Sequence, residues 1–492
     1  GRQALVLVPE IALTPQTVRR FMARFPGKVG IIHSRLSPGE RYDTWRQARA
    51  GLLEVIVGPR SALFAPLPDP GLIILDECHD PSYYQSEPAP AYHTVRAAAI
   101  YGQLTNSLVI YGSATPDVSL MYQAEQRRWP VIRMPQRVMG HTAQQSEPAF
   151  IALPQVNLVD MRQELKAGNR SMFSRALQDA IGGALKQNQQ VILYLNRLGT
   201  ASYVFCRSCG AVVRCPRCER PLTYHNESGL LICHTCNYRR QVPKTCPQCG
   251  STQIRQFGAG TERVEQELLN FYPQARCLRW DSDTTRQKGA HDRLLTAFSQ
   301  HQADVLIGTQ MLAKGLDFPL VTVVGVVLAD VGLSLGDYRA GERTFQLLMQ
   351  VAGRAGRSQL GGSVIMQTFQ PEAYPVVCAA RQDYAEFFTR ELAERRDQNY
   401  PPFVHLVRLE LRRPRLEEME GQARMMAAKI QAWMEAAGAH ATRIIGPAPC
   451  YFPKLAGQYR WQILLAGPDP ARILRGKDLG EWRVEVDPQT LL

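Results

Sequence analysis

Short apolar runs alternate with helical stretches over the first quarter of the chain. The runs at 4–9, 29–33, 54–57, 72–76 and 108–112 are rich in Val, Ile and Leu and bounded by Gly, Pro or charged residues, which predicts strands. Between them, 15–25, 38–50 and 93–104 carry the longer spacing of helices. Alternation of this kind predicts a mostly parallel sheet, with ligand chemistry where strands end and loops begin. Four marked loops fall at those ends: PEIALTPQ at 9–16, GPRSALFAP at 58–66, DECH at 76–79 and GSATPD at 112–117.

A polar, proline-bearing stretch from about 135 to 155 breaks the pattern and reads as a linker. QVILYLNR at 190–197 is the first strong strand beyond it, and the α/β pattern resumes at 258–273, 304–319, 321–332 and 342–357. The run VTVVGVVLA at 321–329 predicts a parallel strand covered on both faces. It is half the ~18 apolar residues that a membrane span needs, so no span is expected. Beyond 400, LVRLELRRP and the segments 460–467 and 482–486 read as strands, and 415–437 as an amphipathic helix. Leu416, Met419, Ala423, Met426, Ile430 and Trp433 form its apolar stripe, expected to face a core in a βαββαβ domain. The predicted fold class is α/β with two parallel-sheet lobes, an inserted module and a small α+β domain. The boundaries are 1–135 for the first lobe, 136–155 for the linker and 156–205 with 250–375 for the second lobe. The insertion takes 206–249 and the C-terminal domain 400–492.

Composition adds a partner class. Across 492 residues, 45% hydrophobic and 21% charged content is that of an ordinary globular protein of about three or four domains. The formal net charge of +13 favours a polyanion, nucleic acid first, over a basic surface that binds nothing. No secretory signal opens the chain. It starts at Gly1 in mid-pattern, so it is expected to be a fragment lacking its N-terminus.

Eight of the twelve cysteines fall within 44 residues as four Cys-x-x-Cys pairs: Cys206/Cys209, Cys215/Cys218, Cys233/Cys236 and Cys246/Cys249. Each pair delivers two thiolates to one point, which suits tetrahedral Zn²⁺ with four sulfur ligands. Four pairs then mean two structural zinc ions; without a secretory signal, disulfides are the weaker alternative. Residues 219–232 read as a hairpin with its turn at 226–229. Closing it brings Cys215/Cys218 onto Cys233/Cys236, leaving Cys206/Cys209 to meet Cys246/Cys249. This nested pairing leaves His225 and His234 as neighbours or surface residues rather than ligands. Cys78, Cys277, Cys378 and Cys450 read as small buried or neutral residues.

Two further groupings carry chemistry. Four aliphatics followed by Asp76 and Glu77 match a nucleotide motor, in which one acid holds Mg²⁺ and the next handles the attacking water. Gln350, Arg354 and Arg357 fall at spacings of four and three, on one side of a helix and the turn ending it, where paired guanidinium groups suit a developing phosphate charge. A surface salt-bridge pair is the competing explanation. A motor also needs a phosphate cradle, yet Gly-x4-Gly-Lys-[Ser/Thr] is absent; Lys28 and Lys477 follow glycines but precede Val29 and Asp478.

In this order the motifs resemble superfamily 2 helicases of the DEAH-like kind. With eight cysteines inserted in the second lobe, they resemble specifically the primosomal replication-restart helicases, PriA (primosomal protein N′), over essentially the whole chain. The resemblance implies two RecA-like lobes that clamp ATP, 3′→5′ movement on DNA, and action on forked or D-loop DNA before the replicative helicase is reloaded. It makes Asp76 the Mg²⁺ ligand, Glu77 the water-polarising acid, and Gln350, Arg354 and Arg357 the γ-phosphate sensor and arginine fingers. Ser113, Thr115, Thr309 and Asp317 would link the nucleotide to DNA. Thr14, Gln16, Arg60 and Ser61 would contact the DNA backbone, with helix capping or loop solvation the alternative for each. Tyr83, Tyr84, Tyr92 and His93 would stack on bases. Cys78, Val95, Arg96 and Leu198 depart from the family pattern. The family places its phosphate cradle one helix ahead of PEIALTPQ, so this chain alone is expected to be inactive toward ATP. The implied cofactors are two Zn²⁺, Mg²⁺ and ATP as substrate. The implied partners are forked and single-stranded DNA, single-stranded DNA-binding protein and other primosome proteins, in a bacterial, cytoplasmic, nucleoid-associated setting without a membrane. The alternative is a non-hydrolysing, zinc-containing DNA-binding scaffold for primosome assembly.

Overall fold

The structure is a computed structural model that describes the chain except residues 10–14, 35, 88–89, 136, 139–149, 152, 197–201, 226–227, 258–259, 282–283, 286–289, 310–311, 313–317, 356–359 and 492. At 15–17, 137–138, 150–151, 202–203, 256–257 and 292 it describes the backbone alone. It divides into two compact units, Gly1–Trp129 and Pro130–Leu492.

The first unit runs β1 (Gln3–Leu7), α1 (Pro15–Arg24), β2 (Val29–Ile31), α2 (Pro38–Arg49), β3 (Val55–Gly58), β4 (Pro70–Leu75), α3 (Thr94–Thr105), β5 (Leu108–Tyr111) and α4 (Val118–Gln126). All pairs are parallel in the order β2-β3-β1-β4-β5. Leu5, Leu7, Ile56, Ile73 and Leu75 are fully buried between the sheet and its helices. Helix α2 starts where Ser37 accepts the Glu40 amide and the Glu40 carboxylate accepts the Ser37 amide, with Pro38 at the first position. Leu7 lies opposite Gly58 and Leu75, and Leu75 opposite Tyr111. The carboxyl ends of β1, β3, β4 and β5 therefore share one edge, where a parallel sheet gathers ligand chemistry.

The second unit begins with β6 (Gln155–Asp160), α5 (Arg175–Lys186) and β7 (Gln190–Tyr194). The cysteine-rich module follows at once, with β8 (Ser202–Cys206), β9 (Thr223–His225), β10 (Leu230–Ile232), β11 (Arg239–Gln241) and β12 (Ile254–Phe257). These form their own antiparallel sheet, ordered β11-β10-β9-β8-β12. Then come α6 (Thr261–Phe271), β13 (Cys277–Trp280), α7 (Ala290–Ser299), β14 (Val305–Gly308), β15 (Val321–Val326), α8 (Ala340–Ala352) and β16 (Ser363–Thr368). The second parallel sheet is ordered β6-β16-β15-β7-β14-β13. Every residue of β15 is buried, as expected of a strand paired on both sides and covered on both faces.

Two helices, α9 (Tyr374–Arg381) and α10 (Tyr384–Asp397), pack on α8 and lead to the C-terminal domain. That domain is β17 (His405–Arg413), α11 (Met419–Ala436), β18 (Arg443–Leu455), β19 (Gln458–Gly467), α12 (Pro470–Leu474) and β20 (Arg483–Val486), ordered β18-β19-β17-β20. The βαββαβ order matches the expectation. One stripe residue does not: Leu416 precedes α11 and is exposed, while Met434 is buried one turn beyond Ile430. No described helix is long and apolar enough to cross a membrane.

Candidate nucleotide and metal sites

In the first unit, the loops after β4 and β5 meet at the shared sheet edge. The Asp76 amide donates to the Leu7 carbonyl at 2.9 Å, and the Cys78 amide to the Gly112 carbonyl at 2.9 Å. Glu77 takes φ +47°, a left-handed backbone unusual for a side-chain-bearing residue, and its amide donates to Asp76 Oδ1 at 3.0 Å. Burial pushes the Asp76 carboxyl above its ordinary range, against the pull of that amide. A cation at this carboxylate would offset the desolvation.

His79 joins the two loops. Its ring Nδ1 lies 2.7 Å from Ser113 Oγ and 3.6 Å from Glu77 Oε2, and Ser113 Oγ accepts the Thr115 amide at 3.0 Å. A buried imidazole thus contacts the GSATP loop and sits beside the second acid. The sequence reading named Glu77, Ser113 and Thr115 but assigned His79 nothing; its place in DECH was the available signal. Burial lifts the Cys78 thiol to about 12, in keeping with an inert small residue.

Beside these loops, Tyr84–Gln85 pairs antiparallel with Tyr92–His93. Tyr92 meets exposed Phe64 edge-on at 5.5 Å, and Tyr84 lies 6.1 Å from the His93 ring. These three residues are half-buried. His93 also caps α3 by accepting the Val95 amide at 3.2 Å. Tyr83 requires a correction. It is 1% exposed and donates its hydroxyl to the Leu7 and Asp76 carbonyls at 2.8 and 2.7 Å, so it braces the acidic loop and has no face for a base. Arg60 donates from Nη1 to the carbonyls of Ser82 and Tyr84, tying the aromatic ribbon down, while Ser61 is exposed. Thr14 lies outside the described residues, as does the Gln16 side chain.

In the second unit, Thr309 directly follows β14 and its carbonyl accepts the Leu312 amide at 2.9 Å. Gln350 sits in the last turn of α8, and Arg354 follows the helix end with Nε donating to the Gln350 carbonyl at 3.3 Å. Asp317, Arg357 and Leu198 lie outside the described residues.

The cysteines gather as two four-sulfur clusters, Cys206, Cys209, Cys246 and Cys249, and Cys215, Cys218, Cys233 and Cys236. Strands β9 and β10 form the expected hairpin, with His225 opposite Leu230. Sulfur–sulfur separations are 3.6 Å for Cys206–Cys249, 3.7 Å for Cys209–Cys246, 3.6 Å for Cys215–Cys236 and 3.3 Å for Cys218–Cys233. A tetrahedron with Zn–S bonds of ~2.3 Å has edges of about 3.8 Å, whereas a disulfide needs ~2.05 Å. The donor set fits two zinc ions, with no cystine among the twelve residues. His225 and His234 are not ligands: their Nε2 atoms lie 3.1 Å apart, and His234 Nδ1 is 3.0 Å from the Pro449 carbonyl. Burial drops His234 to about 4, so it stays neutral where the module meets the C-terminal domain.

Comparisons agree with this architecture. The chain matches a DEAD/DEAH box helicase domain over residues 1–122 and a helicase conserved C-terminal domain over 249–359. It matches the PriA DNA helicase Cys-rich region over 215–241 and the primosomal protein N C-terminal domain over 396–489. The replication restart protein PriA of Bacillus subtilis (strain 168) is 43% identical over 494 residues, 100% of this chain and 60% of that protein. That of Synechocystis sp. (strain ATCC 27184 / PCC 6803 / Kazusa) is 45% identical over 96% of this chain and 56% of its own length. That of Treponema pallidum (strain Nichols) is 39% identical over 95% of this chain and 68% of its own length. The chain thus spans 60% and 56% of the first two relatives. With four domain matches in the order of the observed architecture, the chain belongs to the PriA family of replication restart proteins, helicases of superfamily 2.

Proposed function

We propose that the whole protein is an ATP-dependent DNA helicase that moves 3′→5′, recognises forked or D-loop DNA and enables reloading of the replicative helicase. The observation that carries this reading is the acidic loop: Asp76 with a carboxyl raised by desolvation, and Glu77 3.6 Å from His79, which lies within hydrogen-bond distance of Ser113. Asp76 would hold Mg²⁺ and Glu77 would orient the attacking water. Gln350, Arg354 and Arg357 would meet the γ-phosphate, and Ser113, Thr115, Thr309 and Asp317 would pass the nucleotide state to DNA. Zn²⁺ at the two sulfur clusters would be structural. The half-buried rings of Tyr84, Tyr92 and His93 support base stacking, and the charge of +13 supports a nucleic-acid partner. Thr14, Gln16, Arg60 and Ser61 would line the backbone path, Arg60 chiefly by holding the ribbon. Contacts with single-stranded DNA-binding protein and other primosome proteins would follow from the same role, in the bacterial cytoplasm and nucleoid.

The phosphate cradle is absent from the sequence, so we expect little ATP turnover from this chain alone. Leu108 and Ile110 on edge strand β5, with Ile100 and Leu104 on α3, stand exposed, which supports a further strand bearing that cradle beside β5. The scaffold alternative has no use for the raised carboxyl of Asp76 or for the His79–Ser113 contact beside Glu77. DNA-stimulated ATP hydrolysis and strand separation by the whole protein on forked DNA test the reading. Turnover at background with DNA bound would favour the scaffold, and duplex RNA preferred over forked DNA would contradict the substrate.

A further inference from the structure

A series of contacts, main-chain within the knuckle and side-chain beyond it, joins the inner four-cysteine cluster to helix α8. Arg220 closes the knuckle begun at Cys215, and its carbonyl accepts the Cys215 amide at 2.8 Å. Its guanidinium donates from Nη2 to the Tyr400 hydroxyl at 2.6 Å and lies 5.0 Å from that ring's centre. Tyr400 stacks on Tyr338 with centroids 5.3 Å apart and planes 17° apart. The Arg395 guanidinium covers the Tyr338 ring at 5.3 Å. Arg395 then donates from Nη2 to Glu342, in the first turn of α8, at 2.9 Å and from Nε to Glu391 at 2.8 Å. Arg339 donates to the same Glu342 oxygen at 2.8 Å.

The inner half of this series has little positional freedom. Glu342 is 0% exposed and Arg395 2% exposed, so their desolvation is offset only while the ion pairs keep their geometry. Packing is tight enough that a Cβ at Gly341 would fall 2.8 Å from Glu391 Oε2. Helix α8 carries Gln350 in its last turn, and Arg354 follows its end. A helix of 13 residues transmits a displacement of its first turn to its last.

We propose that Arg220 is a positioning residue: through Tyr400, Tyr338 and Arg395 it makes the zinc knuckle set the first turn of α8, and with it the placement of Arg354. The consequence for hydrolysis rests on the reading of Arg354 given above; the mechanical coupling does not. It makes the metal module part of the motor's second lobe rather than an appendage to it.

The test is amide hydrogen exchange along α8, with zinc content measured on the same samples of the zinc-loaded chain. Arg220→Ala should keep two zinc ions and speed exchange in α8 about tenfold, while β14 and β15 stay as protected as in the parent. Arg220→Lys, which keeps a cation over the Tyr400 ring, should restore most of that protection, a rescue that general loosening would not show. Tyr400→Phe keeps the stack, removes the hydroxyl and should give an intermediate effect. Arg217→Ala, on the same knuckle but facing Tyr238, should leave α8 unchanged. Unchanged α8 exchange in Arg220→Ala with zinc retained would overturn the proposal. So would equal acceleration in α8, β14 and β15. Normal coupling by exchange together with absent ATP turnover in the whole protein would instead count against the helicase reading alone.

Discussion

Replacing Cys233 with serine removes one sulfur from the inner cluster and isolates what the metal contributes. The buried aliphatics of the module are Val204, Val213, Leu222, Leu231 and Ile254. At about 1.5–3 kcal/mol each they stabilise it by roughly 8–15 kcal/mol. A structural zinc contributes a comparable amount, about 10–16 kcal/mol. Loss of one ion therefore removes a large share of the favourable energy of a sheet whose strands are three to five residues long. The lobe sheet keeps its own core around Leu193, Val305, Ile307 and Val323. Elemental analysis of Cys233→Ser should find one zinc per chain instead of two. Hydrogen exchange should show β9, β10 and β11 opening while β7, β14 and β15 stay protected. Two zinc ions retained, or a lobe that opens together with the module, would refute the assignment of ligands or of energy.

Other expectations follow from particular contacts. Glu410 accepts from Arg460 at 2.9 and 3.0 Å and from Arg412 at 2.6 Å, with Arg408 at 3.1 Å, and Arg460 leads the contacts holding its carboxyl down to about 2. A depressed acid stabilises the fold above its unfolded pKa and loses that contribution as pH falls through the folded one. Urea unfolding of the C-terminal domain should thus lose about 2–3 kcal/mol between pH ~4.5 and ~2, allowing for the exposure of Arg412, and Glu410→Gln should be flat there. An equal pH slope in both proteins would contradict this. Tyr83→Ala should lower stability by about 3–5 kcal/mol through the cavity it leaves, whereas Tyr92→Ala should mainly weaken single-stranded DNA binding by about 1–3 kcal/mol. Thermal melts and DNA titrations separate the two, and the opposite pattern would reverse the roles given to these rings. His79→Ala should cut DNA-stimulated turnover of the whole protein about tenfold, or ~1.4 kcal/mol. Turnover within twofold of the parent would remove His79 from the path.

Strand and helix positions in the first unit were readable because its sheet is parallel and buried, so the strands are continuous aliphatic runs bounded by turn residues. Helix α4 was not read: only Val118 and Ala124 of its nine residues are buried, too short a stripe to show a period. Strand β6 was missed as the lobe's opening strand because its residues are only half-buried or exposed, unlike the continuous core of β7. The metal clusters were the most readable chemistry, since Cys-x-x-Cys spacing and one hairpin determine which sulfurs can meet. Tyr83 and Tyr84 are adjacent, and composition does not say which turns inward; the carbonyls of Leu7 and Asp76 decide it. The His79–Ser113 contact spans 34 residues and depends on the register of β4 against β5. The Glu342–Arg395 pair spans 53 residues and depends on how α10 packs on α8. Such contacts are tertiary facts, without a local pattern to announce them.

The central claim of the proposed function is that Asp76 and Glu77 serve one triphosphate. The most direct measurement is the rate of DNA-stimulated ATP hydrolysis by the whole protein, compared with Asp76→Asn, Glu77→Gln and the double variant. Groups acting on one transferring phosphoryl lose rate non-additively, so the double variant should be scarcely slower than the worse single one, each single falling by ~10²-fold or more. Losses that multiply, or a Glu77→Gln protein that hydrolyses ATP as fast as the parent, would contradict the claim.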